Sequence, residues 1–168
     1  MIFRKTRFED IPDVVRILDD GKKFLRENNV LQWHLGYPNE EVIELDIMDE
    51  TGYVATLEGG LVIGTVALSF AGEPWYDEIY DGAWLTNDDF LVIHRIATKS
   101  DFREKNVASF LLEEAEKLCL ERGIKSIKID THIDNEIMKN WILKHGFKYC
   151  GVVHIDNNET RLAYEKII

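Results

Sequence analysis

The spacing of apolar side chains changes along the chain from a two-residue period to a helical period and back, so both strands and helices are predicted. The stretch IFRKT predicts a first strand, and an amphipathic helix follows it with Gly21 just past its predicted end. The apolar positions of this helix are Phe8, Ile11, Val14, Val15 and Leu18. A second helix is predicted over about residues 40–50.

The middle of the chain predicts a hairpin and then a strand that leads into a helix. Two β-rich runs lie on either side of Glu58, Gly59 and Gly60, a pattern typical of antiparallel strands joined by a tight turn. The run FLVIHRIA predicts a near-continuous apolar strand. A helix is expected after it over about residues 103–122, with Gly123 as its C-terminal stop.

The C-terminal third predicts a strand, a helix and two final strands. SIKIDTH is the first of these strands, and FKYCGVVHI and RLAYEKI are the last two. Asp134 is expected to cap the intervening helix and Gly146 to end it. The order predicts one α/β (α+β) domain over residues 1–168, with a mixed central sheet of about seven strands flanked by about four helices.

Composition narrows the range of partners. The chain has 31 acidic and 20 basic residues, a net charge of −11, which argues against nucleic acid and suits a cationic ligand. Acidity that only keeps the protein in solution is the alternative. No apolar run approaches the roughly 18 residues of a membrane span, so we expect no membrane partner and a cytoplasmic protein. Cys119 and Cys150 lack metal-ligand spacing, so buried thiols and no metal site are predicted.

Two segments carry candidate binding chemistry. Residues 71–89 contain six acids, four aromatic residues and neither Lys nor Arg, which indicates a binding segment. Residues 103–109 open a helix with the small or turn-tolerant Asn106, Ala108 and Ser109. Unpaired amides at a helix start favour phosphate, so a phosphate cradle is one interpretation. An ordinary helix start with a solvated Arg-Glu-Lys run is the other.

The segment REKNVA, residues 103–108, resembles the signature loop of the GNAT superfamily of acetyl-CoA-dependent N-acetyltransferases, Arg/Gln-x-x-Gly-x-Gly/Ala. Asn106 stands at the first glycine, and Ala108 is the permitted alanine. DNEIMKNWILKHGFKYCG resembles the family segment Asn-x-x-Ala-x-x-Leu-Tyr-x-Lys-x-Gly-Phe. The matched positions in this segment are Asn135, Met138, Trp141, Lys144, Gly146 and Phe147. The order of elements resembles the superfamily along nearly the whole chain.

The resemblance implies acetyl-CoA as cofactor and assigns residues to it. Backbone amides in the loop would grip the pyrophosphate, with basic side chains adding charge. The loop residues are Arg103, Glu104, Lys105, Asn106, Val107, Ala108 and Ser109. The strand residues Ile96, Ala97 and Thr98 would pair with the pantetheine arm. Asn135 matches an asparagine that contacts this arm, or it is simply a residue of a helix N-terminus.

Acetyl transfer to an amine needs a group that takes the proton of the amine. Asp130 aligns with the catalytic glutamate position of ribosomal-protein N-acetyltransferases in this superfamily. Strand alternation places Asp130 and His132 on one face, and a neighbouring strand is expected to bring His94 close. The alternative for each histidine is a core or strand-edge residue, and the alternative for Asp130 is a structural hydrogen-bonding role. Ile142 stands where the family commonly has its acidic tyrosine, so that acid is absent.

In this superfamily the acceptor lies between the loop of the early helices and strands 4 and 5. The resemblance therefore implies an amine site bounded by aromatic and acidic side chains, which bind cations. Its candidates are Trp33, Tyr37, Trp75, Tyr76, Asp77 and Trp84. Aromatic rings that only bury a loop are the alternative.

The hypothesis is an N-acetyltransferase that acetylates a primary amine, either a small molecule or a peptide N-terminus, by direct attack in a ternary complex. The alternatives are a non-catalytic domain that binds CoA or acyl-CoA and a purely structural or interaction domain. A homodimer through the C-terminal strands is a further expectation.

Overall fold

A computed structural model of the chain describes residues 1–168, with Asn157 described by its backbone alone. The α-helices are α1 (Ile11–Glu27), α2 (Glu40–Met48), α3 (Val107–Glu121) and α4 (Glu136–Lys144). The strands are β1 (Ile2–Lys5), β2 (Gly52–Thr56), β3 (Val62–Ser69), β4 (Phe90–Thr98), β5 (Ser126–Thr131), β6 (Lys148–Ile155) and β7 (Glu159–Ile167). Among the described residues, no helix is long and apolar enough to cross a membrane.

The seven strands form a mixed sheet in the order β1-β2-β3-β4-β5-β7-β6. Strands β4 and β5 run parallel, with Phe90, Leu91 and Val92 opposite residues 126–128. The pairs β1–β2, β2–β3, β5–β7 and β6–β7 are antiparallel. The predicted fold, a mixed sheet of seven strands with four α-helices, is confirmed.

The chain divides into two compact units, one of Met1–Leu68 with His94–Lys117 and the other of Ser69–Ile93 with Leu118–Ile168. In the first unit, α1 and α2 pack on the hairpin of β2 and β3 around an apolar core. The buried residues of this core are Ile11, Val14, Ile17, Leu18, Ile43, Val54 and Val62. Gly59 and Gly60 both have positive φ, as the predicted hairpin turn requires.

The predicted helix ends were wrong in three places. The N-cap of α4 is Asn135, whose side chain accepts the N–H of Met138 at 3.1 Å, and not Asp134. Helix α1 runs through Gly21 and ends at Glu27, so Gly21 is not its stop. The glycine serves packing instead, because a Cβ at Gly21 would lie 3.0 Å from the ring of Trp33. Helix α3 begins at Val107, four residues later than predicted, because a short 3-10 turn over Ser100–Phe102 and a further turn precede it.

In the second unit, residues 71–89 are fixed to strand β6 through their backbone. Tyr80 and Val152 exchange two N–H···O hydrogen bonds of 2.8 Å. A Cβ at Gly82 would lie 1.9 Å from the carbonyl oxygen of Cys150, so only glycine fits at this crossing. Gly151 has φ of 148°, and a Cβ added there would lie 2.5 Å from the carbonyl oxygen of Tyr80. The acidic aromatic segment, residues 71–89, is therefore held against β6 by backbone contacts.

A buried carboxylate fixes the far end of the same segment. Glu165 on β7 is fully buried and accepts the backbone N–H of Leu85 at 2.6 Å and that of Thr86 at 3.4 Å. It also accepts the hydroxyl of Thr86 at 2.9 Å and that of Ser126 at 2.6 Å. A buried charge is tolerated when hydrogen-bond donors surround it in this way. Glu165 thereby holds residues 85 and 86 against the sheet.

We predict that Glu165→Gln lowers the free energy of unfolding by about 1–2 kcal/mol, because neutral hydrogen bonds replace charge-assisted ones. In addition, the side-chain NH2 group of glutamine would face hydrogen-bond donors that it cannot accept from. Urea denaturation at pH 7 measures the change. The matched control is Glu121→Gln at the exposed end of α3, which should change stability by less than about 0.5 kcal/mol. Equal stabilities of the two variants would contradict an anchoring role of Glu165.

Candidate active site

The turn before α3 has the conformation that the predicted phosphate site requires. Asn106 has φ of 57°, in the left-handed region that glycine and asparagine enter most readily. Its carbonyl accepts the N–H of Phe110 at 2.9 Å, which begins the helical hydrogen-bond ladder. The amides of the first turn of a helix lie ahead of that ladder. Asn106 thus takes the place of a glycine, and Ala108 adds only a methyl group beside this turn.

Close packing against β3 fixes the start of α3. A Cβ added to Gly64 would lie 2.6 Å from Val107 Cγ1 and 3.3 Å from Leu111 Cδ1. Both of these side chains are almost fully buried. The missing side chain at Gly64 therefore lets the first turn of α3 sit directly on the strand, and the position of the turn is set by the sheet.

The two basic side chains of the turn rest on aromatic rings. The Arg103 guanidinium lies 4.3 Å from the ring centre of Phe24 and donates to the carbonyl of Asp20 at 3.3 Å. Lys105 Nζ lies 4.6 Å from the ring centre of Phe102. Both residues are exposed on the surface, as is Glu104. Their contacts with a phosphate group stay predictions.

The other predicted cofactor residues lie at strand and helix ends. Ile96, Ala97 and Thr98 form the half-buried end of β4, and the N–H of Lys99 beyond them donates to Ile63 at 2.9 Å. Asn135 is the N-cap of α4, where its side-chain oxygen accepts the N–H of Met138 at 3.1 Å. The cap that the sequence assigned to Asp134 is therefore made by Asn135, and contact of Asn135 with the cofactor stays a prediction.

Asp130 is held by two side chains of its own unit. The buried hydroxyl of Tyr76 donates to Asp130 Oδ2 at 2.6 Å. Arg161 Nε lies 3.9 Å from Asp130 Oδ1, and Arg161 Nη2 also donates to Glu159 at 2.7 Å. Burial and the charge of Asp130 raise the pKa of Tyr76 well above its usual value of 10, so the phenol keeps its proton at neutral pH. Asp130 is thus a fixed carboxylate on β5.

The two predicted histidines occupy different settings. His132 lies just after β5, where its Nδ1 accepts the N–H of Asp134 at 3.1 Å and lies 3.7 Å from the Asp134 carboxylate. Accepting this N–H favours the tautomer with its proton on Nε2. His94 is half-buried on β4. The participation of either imidazole in proton transfer stays a prediction.

The aromatic residues of segment 71–89 differ in exposure. Tyr76 is buried, with its ring centre 5.1 Å from that of Trp84, whereas Trp75 is 47% exposed and Asp77 is also exposed. The ring of Trp84 already faces a cation of the chain itself, because Lys128 Nζ lies 4.2 Å from its centre. Burial lowers the pKa of Lys128. Trp75 and Asp77 therefore form the outward side of the segment, and Tyr76 and Trp84 form its packed side.

The loop between α1 and α2 carries Trp33 and Tyr37. Trp33 packs against the core of the first unit, and the hydroxyl of Tyr37 accepts a hydrogen bond of 2.8 Å from Arg95 Nη1. Arg95 also binds Asp46 on α2, with Nη2 to Oδ1 at 2.5 Å and Nε to Oδ2 at 3.2 Å. Burial alone would lower the pKa of Arg95, but Tyr37 and Asp46 raise it above its usual value.

Sequence reasoning missed the partners of these candidates. The family resemblance singled out Asp130 but gave no reason to pair it with Tyr76, 54 residues earlier. Arg161 could have been found from the antiparallel order of β5 and β7, because it lies two residues from Ala163, the partner of Asp130. The positive φ of 50° at Arg95 could not be seen from strand periodicity.

Comparison with solved structures shows the same fold in several acetyltransferases. A GNAT family acetyltransferase from Streptococcus agalactiae is 29% identical, with a TM-score of 0.88 over 99% of this chain and 95% of that one. One from Listeria monocytogenes is 21% identical, with a TM-score of 0.77 over 99% and 94%. The PaiA N-acetyltransferase of Thermoplasma acidophilum, in complex with coenzyme A, is 19% identical, with a TM-score of 0.65 over 99% and 98%.

Comparison with curated protein sequences gave no match. The family model described as Acetyltransferase (GNAT) family matches residues 21–147, which is more than half of the chain. This range includes the turn at Asn106, helix α3, strand β5 and helix α4. The chain therefore belongs to the GNAT family of acetyltransferases, which use acetyl-CoA.

Proposed function

We propose that this protein is an N-acetyltransferase that transfers the acetyl group of acetyl-CoA directly to a primary amine in a ternary complex. The observation that carries the proposal is the left-handed turn at Asn106 ahead of the 15-residue helix α3, within the matched family region. Such a turn leaves first-turn amides available to an anionic group.

The residues around this turn fit the cofactor. The amides of residue 104 and residues 106–109 would bind its pyrophosphate, because Asn106 turns the backbone and Ala108 leaves space beside it. The N–H of Lys105 already donates to the carbonyl of Phe102 at 3.1 Å. The backbone of residues 96–98 would bind the amides of the pantetheine arm, and the side chain of Asn135 would contact the same arm. Arg103 and Lys105 would add positive charge near the phosphates. When bound, acetyl-CoA supplies the activated thioester carbonyl that the amine attacks.

For proton transfer we propose Asp130 as the acceptor. Most primary amines are protonated at neutral pH, so a base has to remove a proton before or during attack. The hydroxyl of Tyr76 and the guanidinium of Arg161 orient the carboxylate of Asp130 and keep it from turning away. His94 and His132 are the alternative acceptors, and substitution of each by glutamine separates them from Asp130 in the same assay.

For the acceptor we propose an amine that binds as a cation. The net charge of −11 favours cations in general, and two segments offer aromatic side chains that attract them. Segment 71–89 contributes the exposed Trp75 and Asp77, which Tyr76 and Trp84 support from the packed side. The α1–α2 loop contributes Trp33 and Tyr37. Small-molecule amines and peptide N-termini both have this chemistry.

The test is thiol release from acetyl-CoA across a panel of polyamines, amino acids, aminoglycosides and short peptides. Release that depends on one amine class would support the proposal and identify the acceptor. In parallel, acetyl-CoA at 100 times its Kd should stabilise the fold by about 2.7 kcal/mol, because only the folded state binds it. Absence of both signals would refute the proposal.

One observation favours a second candidate function. Ile142 is fully buried in α4, and it stands where the resemblance expects a tyrosine acid. A domain that binds CoA or acyl-CoA as a sensor needs no such acid. Stabilisation by acetyl-CoA without thiol release for any amine in the panel would favour this sensor, whereas steady turnover would exclude it.

We predict that Ala108→Glu weakens acetyl-CoA binding by about tenfold or more, because it brings bulk and negative charge to the amides that would hold the pyrophosphate. Asn106→Gly should keep binding near the wild-type level, because glycine adopts the left-handed conformation at no steric cost. Isothermal titration with acetyl-CoA measures both effects.

The matched control for this prediction is Leu120→Glu, which places the same charge at a 64% exposed position near the far end of α3. Its affinity for acetyl-CoA should stay within about twofold of wild type. Equal affinities of the Ala108 and Leu120 variants would show that the start of α3 does not hold the cofactor.

We predict that Asp130→Asn lowers kcat/KM by about 10²–10⁴-fold if the carboxylate takes the proton of the amine, as is usual for loss of a general base. Tyr76→Phe should have a much smaller effect, because it removes the orienting hydrogen bond and leaves the carboxylate. Steady-state kinetics with the acceptor found in the panel measures both variants.

Thermal unfolding of the same variants serves as the control for folding. If Asp130→Asn and Tyr76→Phe lose similar, small amounts of activity, Asp130 only anchors segment 71–89 and the proton acceptor has to be sought at His94 or His132. A large loss for Asp130→Asn alone, with acetyl-CoA binding intact, would support the proposed role.

A further inference from the structure

Arg95 departs from the regular geometry of its strand. Its φ of 50° lies in the left-handed region, which is uncommon for a residue other than glycine and interrupts the strand alternation of β4. Its guanidinium is largely buried and donates in a fork to both carboxylate oxygens of Asp46 on α2. The remaining terminal nitrogen donates to the hydroxyl of Tyr37. One side chain thus joins β4, α2 and the α1–α2 loop.

The α1–α2 loop, residues 28–39, has little regular structure of its own. Left-handed backbone conformations occur at Asn29, Trp33, Leu35 and Gly36, and Leu35 is 92% exposed. Its two large aromatic side chains are among those that contact the rest of the unit. Trp33 packs on the apolar core, and Tyr37 is bound by Arg95.

Tyr37 is hydrogen-bonded through its hydroxyl, while part of its ring is exposed to solvent. Its hydroxyl receives the Arg95 hydrogen bond, while 42% of the residue remains exposed to solvent. Tyrosine commonly presents an apolar body and a polar tip in this way. A single bond to the tip therefore sets the direction in which the exposed ring faces.

We propose that Arg95 is a positioning residue for the acceptor amine: it orients Tyr37 and the α1–α2 loop and thereby sets the affinity and selectivity for the amine. This inference rests on the proposed function, because it assigns the loop to the acceptor. Arg95 itself touches neither the amine nor the acetyl group in this scheme. It acts through Tyr37.

The chemistry of the contact requires arginine. Nε and Nη2 fit the two oxygens of Asp46, which leaves Nη1 fixed in the same plane and aimed at Tyr37. Lysine has one compact ammonium group, so it could satisfy Asp46 or Tyr37 but could not hold both in this geometry. Arg95→Lys therefore keeps the charge and removes the coupling.

Tyr37→Phe isolates the functional contact from the structural one. It removes only the hydroxyl, and the fork between Arg95 and Asp46 stays in place. The loss of one charge-assisted hydrogen bond should raise KM for the amine by about tenfold, with kcat at saturating amine and the affinity for acetyl-CoA unchanged. Arg95→Lys should raise KM by a similar factor. The double variant should equal Arg95→Lys, because both changes remove the same bond.

The experiment combines kinetics with hydrogen–deuterium exchange of the peptide that contains residues 28–39. Exchange in this peptide should be faster in Tyr37→Phe and Arg95→Lys than in wild type, because the loop has lost the hydrogen bond between Arg95 and Tyr37. The matched control is Arg16→Lys, an exposed residue of α1 that pairs with Asp13. This control should leave KM and loop exchange unchanged.

Each outcome has one meaning. Faster loop exchange together with a raised KM and an unchanged kcat supports the inference. Unchanged exchange, or faster exchange with an unchanged KM, overturns it. Additive effects in the double variant also overturn it, because Arg95 and Tyr37 would then act separately. If wild type acetylates no amine in the panel, both the proposed enzymatic function and the acceptor-positioning role of Arg95 are refuted. Hydrogen–deuterium exchange of the loop still reports whether Arg95 anchors Tyr37.

Discussion

The buried carboxylate of Glu165 determines how the second unit can be built. A fully buried charge requires several hydrogen-bond donors. The Glu165 carboxylate on β7 accepts hydrogen bonds from two backbone amides and two hydroxyls of other elements. This requirement brings Leu85 and Thr86 to the sheet. With the Tyr80–Val152 bridge, the glycine contact at Gly82 and the packing of Tyr76, it fixes the acidic segment 71–89 against the sheet.

The contacts within the second unit also explain why Asp130 has a defined direction. Tyr76 belongs to the small apolar core with Val92, Val153 and Ala163, and only its hydroxyl reaches a polar partner. Its ring is therefore placed by packing and its hydroxyl by Asp130. Residues of segment 71–89 thus fall into two groups, those that pack or bind inward and those that face solvent.

Much of the fold could be predicted from the sequence because hydrophobic period reports which face of an element is buried. The predicted strands and their order, the glycine turn at residues 58–60 and the buried Cys119 and Cys150 all follow from that period and from turn chemistry. Gly21 was misinterpreted because the local pattern cannot distinguish a helix stop from a glycine that makes room for a distant Trp33.

The candidate site was less accessible to prediction for a similar reason. The turn at Asn106 is a local feature, so its left-handed conformation could be anticipated from residue type. The bonds of Asp130 to Tyr76 and of Arg95 to Tyr37 join residues more than 50 positions apart. No periodicity encodes such pairs, and they depend on how the sheet and the loops are assembled.

The glycine crossing at Gly82 and Gly151 has a consequence for how this protein can change over evolution. Both positions are closed to any side chain by a neighbouring carbonyl oxygen, so the path of segment 71–89 is set by the backbone itself. Outward residues such as Trp75 and Asp77 take no part in that crossing. Their substitution should cost little in folding, so the amine specificity proposed for this segment can change between lineages while the scaffold is inherited unchanged.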